Sequence, residues 1–157
     1  MIDRTTARFE KASVDGSELE YIAQGSGEPV LFIHGAIICD AFGPLLSQGS
    51  LAADYRLVNY HRRGFEGSSR VAAPFDIASQ AADAIGLMDE LGIERAHVVG
   101  HSYGGLIALQ IALDDPSECI LWRCWRRAPS GAIAPSKRRQ RCSLPWSCTR
   151  RATTPER

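Results

Sequence analysis

Near the middle of the 157-residue chain the sequence reads Val99-Gly100-His101-Ser102-Tyr103-Gly104-Gly105. The pattern Gly-x-Ser-x-Gly is typical of a tight turn between a strand and a helix, on which the serine hydroxyl stands clear of the sheet. Side chains two positions before and after the serine would collide in that turn, and Gly100 and Gly104 occupy those positions. An apolar strand before the motif and an apolar helix after it complete the context that the motif requires.

Strands and helices alternate on both sides of this turn. Phe9–Val14 and Glu18–Ala23 flank Asp15-Gly16, and this is a hairpin signal because Asp-Gly tolerates the positive φ of tight turns. The other predicted elements are strands at Val30–Ile33, Tyr55–Tyr60 and Ala96–Val99, and helices at Pro44–Leu51, Ile77–Leu91 and Gly104–Leu113. This order predicts an α/β fold, with an N-terminal hairpin followed by a mostly parallel sheet flanked by helices.

Two of the predicted helices carry further signals. Apolar residues recur at three- and four-residue spacing from Ile77 to Leu91, and Gly92 follows where a left-handed C-terminal cap is expected. The helix Gly104–Leu113 is apolar almost all round, which predicts that other layers cover it. Ligands in open α/β sheets bind outside the carboxyl ends of the strands, where His34, His61 and His101 fall.

The chemistry predicted for Ser102 is nucleophilic attack, which needs two backbone N–H groups where negative charge develops. One donor comes from the residue after the nucleophile, here Tyr103, and the other from the loop after the third strand. That loop begins His34-Gly35-Ala36, and Ala36 is the predicted second donor. Gly100, Gly104, His34 and Gly35 would support the turn and the loop. In the plainer interpretation Gly35 only turns the chain.

Three blocks of sequence together resemble the α/β-hydrolase superfamily: Phe32-Ile33-His34-Gly35, the Tyr60–Ser68 stretch and Val99–Gly105. The resemblance covers roughly Phe9–Glu118 and implies a nucleophile at Ser102, oxyanion donors at Ala36 and Tyr103, no cofactor or metal, and a small-molecule substrate. A serine at this position resembles the esterase, carbon–carbon hydrolase and cofactor-free haloperoxidase branches. The dehalogenase and epoxide hydrolase branches place aspartate there. In this sequence His61 stands where the superfamily commonly has an acid.

The base that would activate the serine has no candidate after it in the chain. A serine hydroxyl needs a neighbouring base, and in this superfamily the acid and then the histidine follow the serine. All four histidines precede it: His34, His61, His97 and His101. Asp114 and Asp115 end the next helix, on the order of 18 Å from the serine. The sequence therefore predicts a serine hydrolase for ester-like or similar small acyl substrates, impaired in this chain.

Each histidine also has a simpler interpretation than that of a base. His34 shapes the oxyanion loop, His101 packs below the turn because neighbours on a tight turn point apart, and His97 is a core residue. His61 lies in a loop and remains a weaker alternative for the base.

The composition changes abruptly near residue 119. Residues 1–118 contain 17 Asp and Glu against 8 Lys and Arg, whereas residues 119–157 contain 10 Lys and Arg against Glu156 alone. The last segment also holds all 3 tryptophans and 4 of the 5 cysteines. This predicts a core region at 1–118 and an irregular, disordered tail at 119–157, explained by truncation or a frameshift.

Two alternatives for the tail stay open. Clustered cations with interleaved Trp122, Trp125 and Trp146 would suit a non-enzymatic protein that binds nucleic acid or an acidic partner. A zinc site would use Cys119, Cys124, Cys142 and Cys148, although their spacing lacks the usual Cys-x-x-Cys pairs.

The N-terminus bears on the compartment. Met1–Glu10 is polar and charged, without the apolar stretch of a signal peptide. No run approaches the roughly 18 apolar residues that read as a membrane span. The sequence predicts a cytoplasmic protein without membrane contact or disulfides, and it carries no signal about oligomeric state.

Overall fold

A computed structural model of the chain describes residues 8–71, 76–114 and 119–125. In chain order its elements are β1 (Glu10–Val14), β2 (Ser17–Gln24), β3 (Glu28–Ile33), α1 (Gly43–Leu46), α2 (Gly49–Asp54), β4 (Tyr55–Tyr60), α3 (Ile77–Glu90), β5 (Ala96–His101), α4 (Tyr103–Asp114) and β6 (Cys119–Trp125). Within these ranges six strands form one sheet in the order β1-β2-β4-β3-β5-β6.

The sheet is mixed, as the sequence predicts. β1 and β2 form an antiparallel hairpin, and β2 pairs antiparallel with β4. The pairs β3–β4, β3–β5 and β5–β6 are all parallel. Asp15 (φ 46°) and Gly16 (φ 71°) both adopt the left-handed conformation that a two-residue hairpin turn requires. The α/β fold with an N-terminal hairpin is therefore confirmed.

Both faces of the central strand β3 are buried, because successive side chains of a strand point to opposite faces. Leu31 and Ile33 belong to the larger core cluster, which lies between the sheet and the helices α3 and α4. Val30 and Phe32 belong to a second cluster, which includes Phe42 and side chains of α1 and α2. Helices thus cover both faces of the sheet at β3, which pairs with β4 on one side and β5 on the other.

The helix α3 has a capping residue at each end. At its N-terminus the carboxylate of Asp76 accepts a hydrogen bond from the amide of Ser79 at 2.8 Å. At its C-terminus Gly92 has φ 64°, and the amide N of Ile93 lies 2.8 Å from the carbonyl O of Met88. This is the pattern of a glycine C-cap, so the predicted cap is confirmed.

Two predictions about helices need correction. The single helix expected at 44–51 is two short helices, α1 and α2, because the backbone of Gln48 between them is extended (φ −90°, ψ 104°). The helix α4 is not covered on every side: Leu106, Leu109 and Leu113 are exposed, since the sheet and α3 bury only one of its faces.

The prediction of an irregular tail from residue 119 is wrong for its first seven residues. Cys119–Trp125 forms strand β6, which pairs in parallel with β5. Pairing with β5 gives hydrogen-bond partners to backbone N–H and C=O groups of this segment, and these bonds do not depend on its unusual side-chain composition. The rest of the tail, including the predicted disorder, the basic binding segment and the cysteines at 142 and 148, lies outside the described residues.

Within the described ranges, none of the helices combines the length and the apolar character needed to cross a bilayer.

Candidate active site

Ser102 lies between the last residue of β5 and the first residue of α4, at the carboxyl end of a central strand. Its φ is 54°, a left-handed conformation that is strained for a residue with a side chain. The carbonyl of Ser102 accepts the first hydrogen bond of the helix, from the amide of Gly105 at 2.9 Å. The serine residue is exposed at the apex of this turn.

The two glycines of the motif are required by contacts with backbone atoms. A Cβ atom on Gly100 would overlap the carbonyl of Gly104 on the other side of the turn. A Cβ atom on Gly104 would overlap the carbonyl oxygens of Ile33 and His34. Because backbone carbonyls cannot swing aside as a flexible side chain can, only glycine fits both positions. The turn is thus built around close contacts between β5, α4 and the end of β3.

The loop after β3 packs directly against this turn. A methyl group on Gly35 would lie 2.9 Å from Nδ1 of His101 and 3.3 Å from Cβ of Ser102. Gly35 is buried, while the next residue, Ala36, is exposed. The structure therefore brings Gly35 of the predicted loop next to Ser102, and His34 and Ala36 are its neighbours in the chain.

His34 is fully buried beneath this loop and uses both ring nitrogens. Nε2 accepts a hydrogen bond from the amide of Arg62 at 3.0 Å, so the ring proton resides on Nδ1. Nδ1 donates to the carbonyl of Gly35 at 2.7 Å. Burial, and then the positive charge of Arg62, lower the pKa of His34 to about 3. The ring is therefore neutral, and its two hydrogen bonds join the loop after β3 to the loop after β4.

The depressed pKa of His34 predicts that acid destabilises the chain. Its pKa falls from 6.5 in the unfolded chain to about 3 in the fold, so below pH 6.5 the unfolded state binds the extra proton. Stability is then lost as the pH falls from 6.5 toward 3. We expect the free energy of unfolding to be about 2 kcal/mol lower at pH 5 than at pH 7 from this group.

Urea denaturation at the two pH values measures the effect. The His34→Gln variant is the control, because it lacks the titrating ring and should lose this part of the pH dependence. Equal pH dependence in the two proteins would contradict the assignment of His34 as a buried neutral ring.

His61 lies inside a cluster of acidic side chains, and not on an accessible loop. Its Nδ1 lies 2.7 Å from Oε2 of Glu20 and its Nε2 lies 3.2 Å from Oδ1 of Asp40. The ring is fully buried and stacks on Phe9, with 5.5 Å between the ring centroids. Both nitrogens thus face carboxylates, which explains how a histidine is accommodated where the superfamily commonly has an acid.

The other two histidines, His97 and His101, have contacts that do not involve the hydroxyl of Ser102. Nε2 of His97 lies 3.0 Å from Oε2 of Glu28, on the strand β5 several residues before the turn. His101 precedes Ser102, and its Nδ1 is buried against Gly35 without a hydrogen-bond partner in the described part of the chain. The described contacts therefore place none of the four histidines in the role of an exposed base facing Ser102.

Arg62 is the site residue that the sequence did not single out. Only 4% of the residue is exposed, and its guanidinium donates to the carbonyl of Gly35 at 2.8 Å and to the side-chain oxygen of Gln80. The amide of Gln80 in turn donates to the hydroxyl of Tyr103 at 3.0 Å. One signal was available: Gln80 is a polar residue on the apolar stripe of α3, between Ile77 and Ala84.

The neighbouring Arg63 has a separate partner. Its guanidinium pairs with both carboxylate oxygens of Asp83 on α3, one of them at 2.7 Å from Nε. This ion pair ties the loop after β4 to α3, and Arg63 makes none of the contacts of Arg62.

The described residues contain no group of three or more His, Cys, Asp or Glu side chains that could hold a metal ion.

Comparison with known proteins agrees with this geometry. A family model described as "Alpha/beta hydrolase family" matches residues 30–151, more than half of the chain. The chain therefore belongs to the α/β-hydrolase family. The resemblance drawn from the three sequence blocks is confirmed. The match also runs past residue 118, where the composition changes.

Relatives with several different names share this part of the sequence. The dihydrolipoyllysine-residue acetyltransferase component of the acetoin cleaving system of Cupriavidus necator is 41% identical over 115 residues, 73% of this chain. The RutD protein of Variovorax paradoxus, which carries a carbamate hydrolase name, is 35% identical over 69% of this chain. The chain spans only 30% and 43% of the lengths of these two proteins.

Solved structures show the same fold. Epoxide hydrolase VrEH1 from Vigna radiata superposes with a TM-score of 0.70 at 21% identity, over 79% of this chain and 39% of that one. Epoxide hydrolase A from Mycobacterium thermoresistibile superposes with a TM-score of 0.66 at 27% identity, over 73% of this chain and 37% of that one.

A further relative by sequence is a fluoroacetate dehalogenase from Burkholderia, which is 34% identical over 71% of this chain and 39% of its own length. Family membership therefore does not by itself select one branch of hydrolases.

Proposed function

We propose that this chain carries the nucleophile of a serine hydrolase, with Ser102 attacking an ester-like or similar small acyl substrate. The observation that supports this most is the left-handed, exposed Ser102 on a turn that only glycines can complete. Such strain is retained where the surrounding structure demands it, and here it presents a hydroxyl at the carboxyl end of the sheet. A serine at this position also favours the serine branches over the branches with aspartate.

The oxyanion hole of this proposal consists of the backbone N–H groups of Ala36 and Tyr103. Tyr103 is the first residue of α4, and the first N–H groups of a helix lack partners within the helix. They also lie at the positive end of the helix dipole. Contact between Gly35 and Ser102 supports the second donor, since Ala36 is the next residue along the loop. The exposed side chains of Ile37 and Ile38 beside this loop favour an apolar acyl group.

The proposed activity of this chain alone is weak, because the hydroxyl of Ser102 lacks a base. All four histidines of the sequence precede the serine, and each has the structural surroundings given above. A base added in solution would replace the missing group. Imidazole can accept the hydroxyl proton as the serine oxygen forms its new bond and the leaving group departs.

The test is covalent labelling by diethyl p-nitrophenyl phosphate with imidazole present. The oxygen of Ser102 bonds to phosphorus, p-nitrophenolate leaves and imidazole takes the proton. Since an oxyanion hole accelerates such a step, we expect Ser102 to react on the order of 10²-fold faster than Ser50. Ser50 is a suitable reference because it is also exposed and lies near the start of a helix, in α2.

Peptide mass spectrometry locates the label. The Ser102→Ala variant should lose the fast adduct and the Ser50→Ala variant should keep it. Labelling of Ser102 no faster than that of Ser50, in folded protein, would overturn the proposal.

A further inference from the structure

Arg62 is a buried cation whose described hydrogen-bond acceptors are uncharged. Nη2 donates to the carbonyl of Gly35 at 2.8 Å, and Nη1 donates to the side-chain oxygen of Gln80. The guanidinium carbon lies 4.7 Å from the ring centroid of Phe65 and 5.1 Å from that of Tyr103. Burial of a cation carries a substantial desolvation penalty, which also lowers the pKa of Arg62. Stability alone is therefore a poor reason for an arginine here.

The geometry of one peptide group gives a better reason. The carbonyl of Gly35 and the N–H of Ala36 belong to the same planar trans peptide, so they point in opposite directions. That carbonyl accepts hydrogen bonds from the buried Nδ1 of His34 and the buried Nη2 of Arg62. With the oxygen held from below by two donors, the N–H of Ala36 is turned away from the buried side of the loop.

We propose that Arg62 is a positioning residue that orients the Gly35–Ala36 peptide, so that the N–H of Ala36 serves as an oxyanion donor beside Ser102. This inference rests on the proposed function. Arg62 acts through the backbone of Gly35 and does not itself touch the substrate.

The same guanidinium also reaches the second proposed donor. Gln80 accepts from Arg62 through its side-chain oxygen and donates through its amide to the hydroxyl of Tyr103 at 3.0 Å. Arg62 also stacks against the ring of Tyr103. One buried side chain thus links the loop after β3 to the first turn of α4, the two elements whose N–H groups would form the oxyanion hole.

A thiol nucleophile allows the role of Arg62 to be separated from folding. In the Ser102→Cys variant the thiolate can react with p-nitrophenyl acetate, forming a thioester and releasing p-nitrophenolate through a tetrahedral oxyanion. The same thiolate can react with iodoacetamide, forming a thioether and releasing iodide without any oxyanion. Only the first reaction needs the N–H groups of Ala36 and Tyr103. The ratio of the two rates therefore measures the oxyanion hole.

The Arg62→Met substitution is made in the Ser102→Cys background. We expect acylation at position 102 to fall roughly 10²-fold, as follows from misplacing a catalytic group by about 1 Å, with alkylation unchanged. The acylation rate of the Arg62→Lys variant should lie between those of the parent and Arg62→Met, because an ammonium is a point charge that lacks the two-pronged geometry needed to reach both acceptors. Arg63→Met is the matched control, because it removes the adjacent guanidinium that pairs with Asp83. It should leave the ratio of the two rates unchanged.

Cys39 provides an internal reference in the same chain. Burial and a hydrogen bond with Glu66 raise the pKa of its thiol, so it should react slowly with both reagents. Peptide mass spectrometry separates its adducts from those at position 102. Equal acylation-to-alkylation ratios in the parent and the Arg62→Met variant would overturn the inference, and so would a parallel fall in both rates.

If Arg62→Met does not fold, the ratio in Arg62→Lys decides, and a ratio equal to that of the parent overturns the inference. Failure of the proposed function would give a different result. In the Ser102→Cys parent itself, acylation at position 102 would then be no faster than acylation at Cys39. That outcome would overturn the proposed oxyanion hole together with the inference that depends on it.

Discussion

The Gly104→Ala variant is expected to lose about 3 kcal/mol or more of its free energy of unfolding, a large fraction of the roughly 5–15 kcal/mol that stabilises a typical domain. The added methyl group would overlap the carbonyl oxygens of Ile33 and His34, which are held in the centre of the sheet. Relief requires that α4 move away from β3, and this movement would expose the larger core cluster between them. Urea denaturation followed by circular dichroism measures the change.

Gly49→Ala is the matched control for this prediction. Gly49 is also in a helix, and a methyl group there would have no atom within 4 Å. Alanine has the higher helix propensity, so the control should be neutral or slightly stabilising. A Gly104→Ala variant as stable as the control would contradict the close contact between the turn and the end of β3.

Hydrolysis of p-nitrophenyl acetate by the unmodified 157-residue chain should be far slower than the roughly 10 turnovers per second of an ordinary enzyme. An oxyanion hole and binding site without a complete triad retain a rate of about 10³–10⁴ over water. We expect at most that residual rate, because no histidine follows Ser102 in the sequence and the four that precede it have structural surroundings.

The Ser102→Ala variant, measured at equal concentration, is the control that shows how much of the hydrolysis depends on Ser102. Near-background rates in both proteins, or a small difference that imidazole enlarges, agree with a nucleophile that lacks its base. Turnover at ordinary enzyme rates that disappears in the variant would contradict it. Such turnover would mean that one of the four histidines, or a second copy of the chain, supplies the base.

Local signals made much of the fold predictable from the sequence. Asp15-Gly16 encodes the hairpin, Gly92 ends α3, and the strand Tyr55–Tyr60 has the predicted bounds. Each of these depends on residues close together in the chain. The turn at Ser102 is predictable for the same reason, because its glycines, strand and helix are contiguous.

The surroundings of the site were less predictable because they depend on contacts between distant segments. Arg62 meets Gln80 18 residues away and Gly35 27 residues away, and no local pattern marks it as buried. His61 meets the carboxylate of Glu20 41 residues away, which only the assembled sheet brings together. Strand β6 was missed because pairing with β5, rather than a period in its own sequence, makes it a strand.

The measurement that tests the central claim most directly is a crystal structure of the chain after reaction with diethyl p-nitrophenyl phosphate. The claim predicts phosphorus bonded to Oγ of Ser102, with one phosphoryl oxygen about 2.7–3.1 Å from the amide nitrogens of Ala36 and Tyr103. Phosphorus on another residue, or a phosphoryl oxygen on Ser102 that faces solvent away from both amides, would contradict it.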